Sequence, residues 1–209
     1  TNGEFRFPAS VVSVLAEAFG ITAFRVADDF PAGLAFALQE AGIGLEIVEG
    51  GLFPEREIKG DAEAACIRQG NAASAAGFRA AERLLREAEI RKGILYHGGK
   101  RLTSERVQEA IAVACLEKGA LAANTIVAGG DEACDPHCRG SGPLRADSLI
   151  IIDIFPRVAK TGYHGDMTRT YLKGRPSEAQ RALYATVLEA EQMALGEHRS
   201  GKSGAKIHR

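Results

Sequence analysis

The run Leu149-Ile150-Ile151-Ile152 ends on a carboxylate, Asp153. A second carboxylate, Asp166, stands thirteen residues on, at the head of another strand-like run, Met167 to Leu172. β-Branched apolar residues in that density specify a strand with at least one buried face. A carboxylate at the end of such a strand needs compensation, because burying it bare costs on the order of several kcal/mol. If the intervening loop is a hairpin, the two aspartates lie on neighbouring strands and point into one site. Two converging carboxylates repel unless a proton or a divalent cation sits between them, and their oxygens suit a hard or borderline ion such as manganese. Asp166-Met167-Thr168-Arg169-Thr170 adds two hydroxyls, Thr168 and Thr170, able to hydrogen-bond ligating carboxylates. The competing reading makes each Asp a turn residue or cap, which Gly162 and Gly165 invite.

The rest of the chain supplies a frame for that hairpin. Helical spacing runs from Pro8 to Gly20, a strand from Ile21 to Val26, a second helix from Pro31 to Gly42 and a second strand from Leu45 to Val48. This α/β opening gives way to a linker-like stretch, Gly50-Gly51 and Phe53 to Glu57. A long Ala-rich helix is expected from Asp61 to about Glu89, a short strand at Ile94 to Tyr96, and a helix capped by Thr103-Ser104-Glu105 and running to about Lys118. Strands at Thr125 to Ala128 and Leu149 to Ile152 precede the one at Met167, and Pro176-Ser177-Glu178 opens a helix to about His198. A further helix is expected to start near Gly204. From Asp61 onward the expectation is α+β, long helices flanking an antiparallel or mixed sheet.

Composition narrows the class. With 209 residues, 45% hydrophobic and 25% charged, the chain is globular and can bury a sizeable core. Its net charge of -1 argues against nucleic acid as a partner, and no apolar run has the length of a membrane helix. Four cysteines without a secretory signal read as reduced thiols, so the expected compartment is cytoplasmic. Cys134, His137 and Cys138 lack the second pair that a zinc hairpin needs, and Gly201-Lys202-Ser203 follows a helix rather than a strand, unlike a phosphate loop. His137 sits in a Gly-rich loop between strands, where an imidazole is able to stabilise developing charge or stay a solvent-exposed loop residue. His164, beside Asp166 in the hairpin loop, reads as a surface residue, and His97 and His198, with no chemical partner in the sequence, read as surface groups.

Taken in order, several motifs resemble the creatinase/prolidase/aminopeptidase P group of pita-bread metallopeptidases. They are Phe53-Pro54-Glu55-Arg56-Glu57-Ile58-Lys59, Leu102-Thr103-Ser104-Glu105, Asp135-Pro136-His137, Gly140 to Leu144, Asp153 to Arg157 and Gly165 to Thr170. The resemblance implies that residues 1–52 are the tail of an N-terminal ribonuclease-H-like α/β domain, and residues 53–209 the first half of a pita-bread catalytic domain. It also implies an Xaa-Pro aminopeptidase or dipeptidase acting on peptides with proline in second position. In that chemistry a metal-bridged hydroxide attacks the peptide carbonyl between two divalent ions, manganese before cobalt or zinc. Asp153 then matches the first ligand, Asp166 the bridging aspartate, and His137 the histidine at the scissile amide.

The hairpin between the aspartates is longer than in the better-known members. The histidine and two glutamates that complete the family's site have no counterpart in these 209 residues. The chain is therefore expected to be a truncated piece that is inactive alone, retains no metal and self-associates through an open apolar face, the parent being a homodimer. The alternative is a non-catalytic pita-bread module that binds peptides or partners. Such modules, and metal-free creatine amidinohydrolysis on the same fold, do not need both aspartates. A methionine aminopeptidase does not need the first fifty residues.

Overall fold

The computed structural model describes residues 8–208, and the chain divides at Lys59 and Gly60 into two units. In the first, α1 (Pro8–Phe19), β1 (Ala23–Ala27), α2 (Ala32–Glu40) and β2 (Gly44–Val48) follow one another. β1 and β2 pair in parallel, with Val26 opposite Ile47. Parallel pairing needs a crossover, and α2 supplies it. Ala16, Leu38 and Ile43 are buried together, with Val12, Phe24 and Leu34 packed against them. This core is small, and Phe19, Phe36 and Ile47 remain largely exposed.

The second unit is built on α3 (Asp61–Glu87), whose first turn carries Asp61 and Glu63 at the positive end of the helix dipole. Glu63 Oε2 accepts the Gly60 N–H at 2.9 Å, satisfying one orphan donor. The buried stripe of α3 is mostly small: Gly70, Ala73, Ser74, Ala76, Gly77, Phe78, Ala81 and Leu85. Small residues let other elements approach closely, and a Cβ on Gly77 would stand 2.9 Å from Ile111 Cγ2. A meander follows, β3 (Glu89–Arg91), β4 (Ile94–His97) and β5 (Lys100–Arg101). Next comes α4 (Ser104–Leu116), whose N-cap Thr103 accepts the Arg106 N–H through its hydroxyl at 3.4 Å.

The chain continues through β6 (Ala120–Leu121), β7 (Ile126–Gly129), β8 (Leu149–Ile154), β9 (Arg157–Val158), β10 (Met167–Leu172), α5 (Glu178–Glu197) and α6 (Gly204–His208). The main sheet is antiparallel throughout, in the order β10-β8-β7. Ile150, Ile152 and Ile154 of β8 are completely buried and join Phe78, Leu85, Val107, Ile111 and Val127 in one core. The α+β expectation therefore holds, with α3 and α4 on one face of the sheet. β3, β5, β6 and β9 were not anticipated, since two- and three-residue strands carry no readable periodicity. β6 and β9 pair with Ala120 opposite Val158, both buried against Ala73 of α3.

α5 has no buried residue, and Leu183, Tyr184, Val187, Met193 and Leu195 are exposed along it. Among the described residues no helix is long and apolar enough to cross a membrane. All four cysteines are free. Burial pushes the Cys115 thiol up to about 11, which makes it a core group rather than a nucleophile.

Candidate metal centre

Alternation along β8 decides where Asp153 points. Its neighbours Ile152 and Ile154 face the helices, so Asp153 and Ile151 face the other way, half-buried. Across the pair with β10, Asp153 lies opposite Thr168, and Ile126 of β7 flanks it on the other side. Thr168 donates its hydroxyl to Asp153 Oδ1 at 2.6 Å, a short charge-assisted bond that orients the carboxylate. Thr170 lies opposite Ile151, one pair further along the same face.

Asp166 sits just before β10, two residues ahead of Thr168 in the chain. The Asp166 side chain is exposed, while its backbone N–H donates to Asn71 Oδ1 at 3.0 Å. Gly70, next to Asn71, meets Gly165 backbone to backbone, and a Cβ on either glycine would collide with the other's main chain. Tyr163 donates to Glu63 Oε1 at 2.6 Å from the same hairpin. α3 thus pins the hairpin that carries Asp166 at three points. Gly165 serves close approach, not the turn conformation its position in the sequence invites.

His137 is exposed, in a turn closed by the Cys138 N–H donating to the Asp135 carbonyl at 3.1 Å. Its own N–H donates to Asp135 Oδ1 at 2.8 Å. The preceding residues, Ala133 to Pro136, join Asp153, Thr168, Ile126, Ala128 and Ile151 around an open cleft of about 330 Å³. The structure therefore brings Asp153 and Thr168 into contact and hangs the turn bearing His137 at the rim of the same cleft, while Asp166 stands just before β10 outside that lining. His164 is exposed, and His198 caps α5. His97 departs from the expectation of an unpartnered surface group: its ring is three-quarters buried, with Nε2 3.1 Å from Glu87 Oε2.

The chemistry of the candidate donors, carboxylate oxygens with Asp153 oriented by a hydroxyl, fits a hard divalent cation. Among the described residues no group of three or more His, Cys, Asp and Glu side chains gathers to hold a metal. Asn71, Gly70 and Glu63 were not foreseen as site-supporting residues. A hydrogen-bonding Asn next to a Gly within an Ala-rich helix was the available signal.

Comparison with known proteins bears on the family and the fold. A family model, metallopeptidase family M24, matches residues 65–209. The Xaa-Pro aminopeptidase of Haemophilus influenzae is 40% identical over 74 residues, covering 34% of this chain and 17% of that protein. Xaa-Pro aminopeptidase 1 of Streptomyces coelicolor is 28% identical across 98% of this chain and 40% of its own length. Among solved structures, the Xaa-Pro dipeptidase from Bacillus anthracis superposes with a TM-score of 0.78 at 22% identity, covering 97% of this chain and 54% of that one. The prolidase from Pyrococcus furiosus gives a TM-score of 0.72 at 22% identity over 91% of this chain and 52% of that one. The fold is thus the pita-bread architecture, and the chain spans about half the length of these structures or less of the curated relatives. With the family model covering well over half of its residues, the chain belongs to metallopeptidase family M24.

Proposed function

We propose that the protein is a metal-dependent exopeptidase of the Xaa-Pro aminopeptidase or dipeptidase type, acting on peptides with proline in second position. One observation carries the reading: Asp153 of β8 lies opposite Thr168 of β10 and is oriented by its hydroxyl at 2.6 Å, with Asp166 two residues before that threonine in the chain. Divalent ions, manganese foremost, supply a water nucleophile of lowered pKa and polarise the scissile carbonyl when bound. Asp153 and Asp166 would hold them, and the Thr168 hydroxyl, bound to Oδ1 of Asp153, leaves its second oxygen available. Thr170 extends the polar edge of the same face. His137 is placed at the cleft rim to donate to the substrate amide. The apolar residues Ile126, Ala128 and Ile151 of the cleft keep water away from one side of the Asp153 carboxylate.

Residues 1–52 belong, on this reading, to a ribonuclease-H-like α/β domain, and residues 53–209 to the catalytic domain of a cytoplasmic homodimer. The 209 residues alone supply two ligands, so weak metal binding and no turnover of Xaa-Pro peptides are expected of them.

Manganese titration followed by NMR tests the site. Mn²⁺ is expected to broaden backbone signals around Asp153 and Asp166 before any others, and Asp153→Asn to abolish the effect. Broadening spread evenly over surface carboxylates would overturn the site. Hydrolysis of an Xaa-Pro dipeptide by this chain would overturn its inactivity.

A further inference from the structure

The loop that carries His137 leaves β7 through a single helical turn, Gly130–Cys134, reverses at Asp135 to Cys138, and returns along residues 139 to 143. Its return leg is firmly attached. The Arg139 carbonyl accepts both the Val127 N–H at 2.9 Å and Gln108 Nε2 at 2.7 Å. Gly140, at φ +81°, lies so close to Val127 that no Cβ fits there. The Gly142 N–H donates to Glu105 Oε1 at 2.9 Å, and the Gly142 carbonyl accepts the Ser104 N–H at 2.9 Å.

The outward leg packs against β7 and β8 but, among the described residues, has no comparable hydrogen bonds to them. Among the described residues, one side-chain link joins it to the return leg. Glu132 accepts the Ser141 N–H at Oε2, 3.0 Å, and the Ser141 hydroxyl at Oε1, 2.7 Å. Both oxygens of one carboxylate are thereby spent on one residue, nine positions away, with the turn bearing His137 between them. Charge-assisted bonds of this kind are the strong ones, and two on one partner fix orientation as well as distance.

We propose that Glu132 is a positioning residue, a clasp that holds the outward leg and the His137 turn over the cleft beside Asp153. The inference rests on the peptidase reading only in giving His137 a task; the clasp itself stands on geometry. Opening it leaves the return leg on β7 and α4. It frees Ala133 to Pro136, which form one wall of the cleft, together with His137.

The test is amide hydrogen exchange by NMR on the whole chain. Glu132→Ala is expected to speed exchange at Asp135, His137 and Cys138 by about tenfold, the loss of a hydrogen bond to a charged group. The amides of Val127 and Gly142 should stay within about twofold of the parent, because their partners lie on the return leg. Glu132→Gln keeps a carbonyl acceptor for Ser141 and should restore most of the protection. Ser141→Ala removes only the hydroxyl and should give a smaller acceleration at the same three amides. Unchanged exchange at the turn in Glu132→Ala would overturn the clasp. So would uniform acceleration that includes Val127 and Gly142, which marks general destabilisation. None of these readings needs turnover or metal, so a failed clasp leaves the assignment of Asp153 and Asp166 intact. A failed manganese titration likewise leaves the clasp intact.

Discussion

Gly165 stands one residue before Asp166 and against the backbone of Gly70, so the position of a candidate metal ligand depends on a missing side chain. A methyl group there must push backbone from backbone, and overpacking of this kind costs about 1–3 kcal/mol. Gly165→Ala is accordingly expected to lower the urea midpoint and to shift the Asp166 and Asn71 amide signals together. Glu105 carries a pH dependence. Chiefly the Gly142 N–H, then the Thr103 hydroxyl, hold its carboxyl below the ordinary value of 4.5. A lowered carboxyl stabilises the fold when ionised, so the contribution is complete above the ordinary value and is lost as pH falls through the lowered one. The stability difference between the parent and Glu105→Gln should therefore be present at neutral pH, begin to fall below 4.5 and vanish as the pH passes through the lowered value. A difference that persisted in acid would show that Gly142 is held by something other than the carboxylate charge.

At the scale of elements, α3 works as the spine of the second unit, and its small residues set how closely α4 and the hairpin approach. Ser74 shows the economy of that face: fully buried, it donates to the Ile154 carbonyl at 3.0 Å, tying the helix to the end of β8 beside Asp153. Ile111 of α4 packs over Gly77 and is completely buried. Ile111→Ala should cost about 2–5 kcal/mol, a lost side chain plus a cavity the rigid helix pair cannot collapse. Chemical denaturation reads that cost directly. Arg169 and Tyr171, on the opposite face of β10 from Thr168, belong to this packing as well. Arg169 lies 5.7 Å from the centre of the Phe78 ring, and Tyr171 donates to Glu82 at 2.8 Å. Burial first, and the Glu82 carboxylate second, drive the Tyr171 hydroxyl well above its usual range. Alternate residues of one strand are thus divided between the core and the candidate site.

For the whole molecule, the two units differ in how much apolar surface they bury. The first rests on three buried residues around Leu38, the second on a continuous core from Phe78 to Ile154. Local stability follows buried contact, so β1 and β2 are expected to exchange amide protons faster than β7 and β8. Protease nicking should begin between residues 49 and 60, where a single short helical turn, Pro54–Glu57, is the only regular element. Exchange in β1 as slow as in β8 would contradict this order.

Much was legible from residue order alone. Periodicity placed the long helices, and capping residues such as Thr103 and Ser177 marked their starts, because these signals are local and repeat along the chain. The carboxylate closing an apolar strand already marked Asp153, since chemistry that expensive is rarely incidental to a core. The short strands, the pairing of His97 with Glu87 and the support that Asn71 and Gly70 give to Asp166 were not legible. Each joins residues distant in sequence, and the Asn71–Asp166 bond spans 95 positions. Sequence by itself determined which residues could ligate, cap and pack. Tertiary structure decided which of them meet, because register across β8 and β10 and the depth at which α3 settles on the hairpin depend on every contact of the core at once.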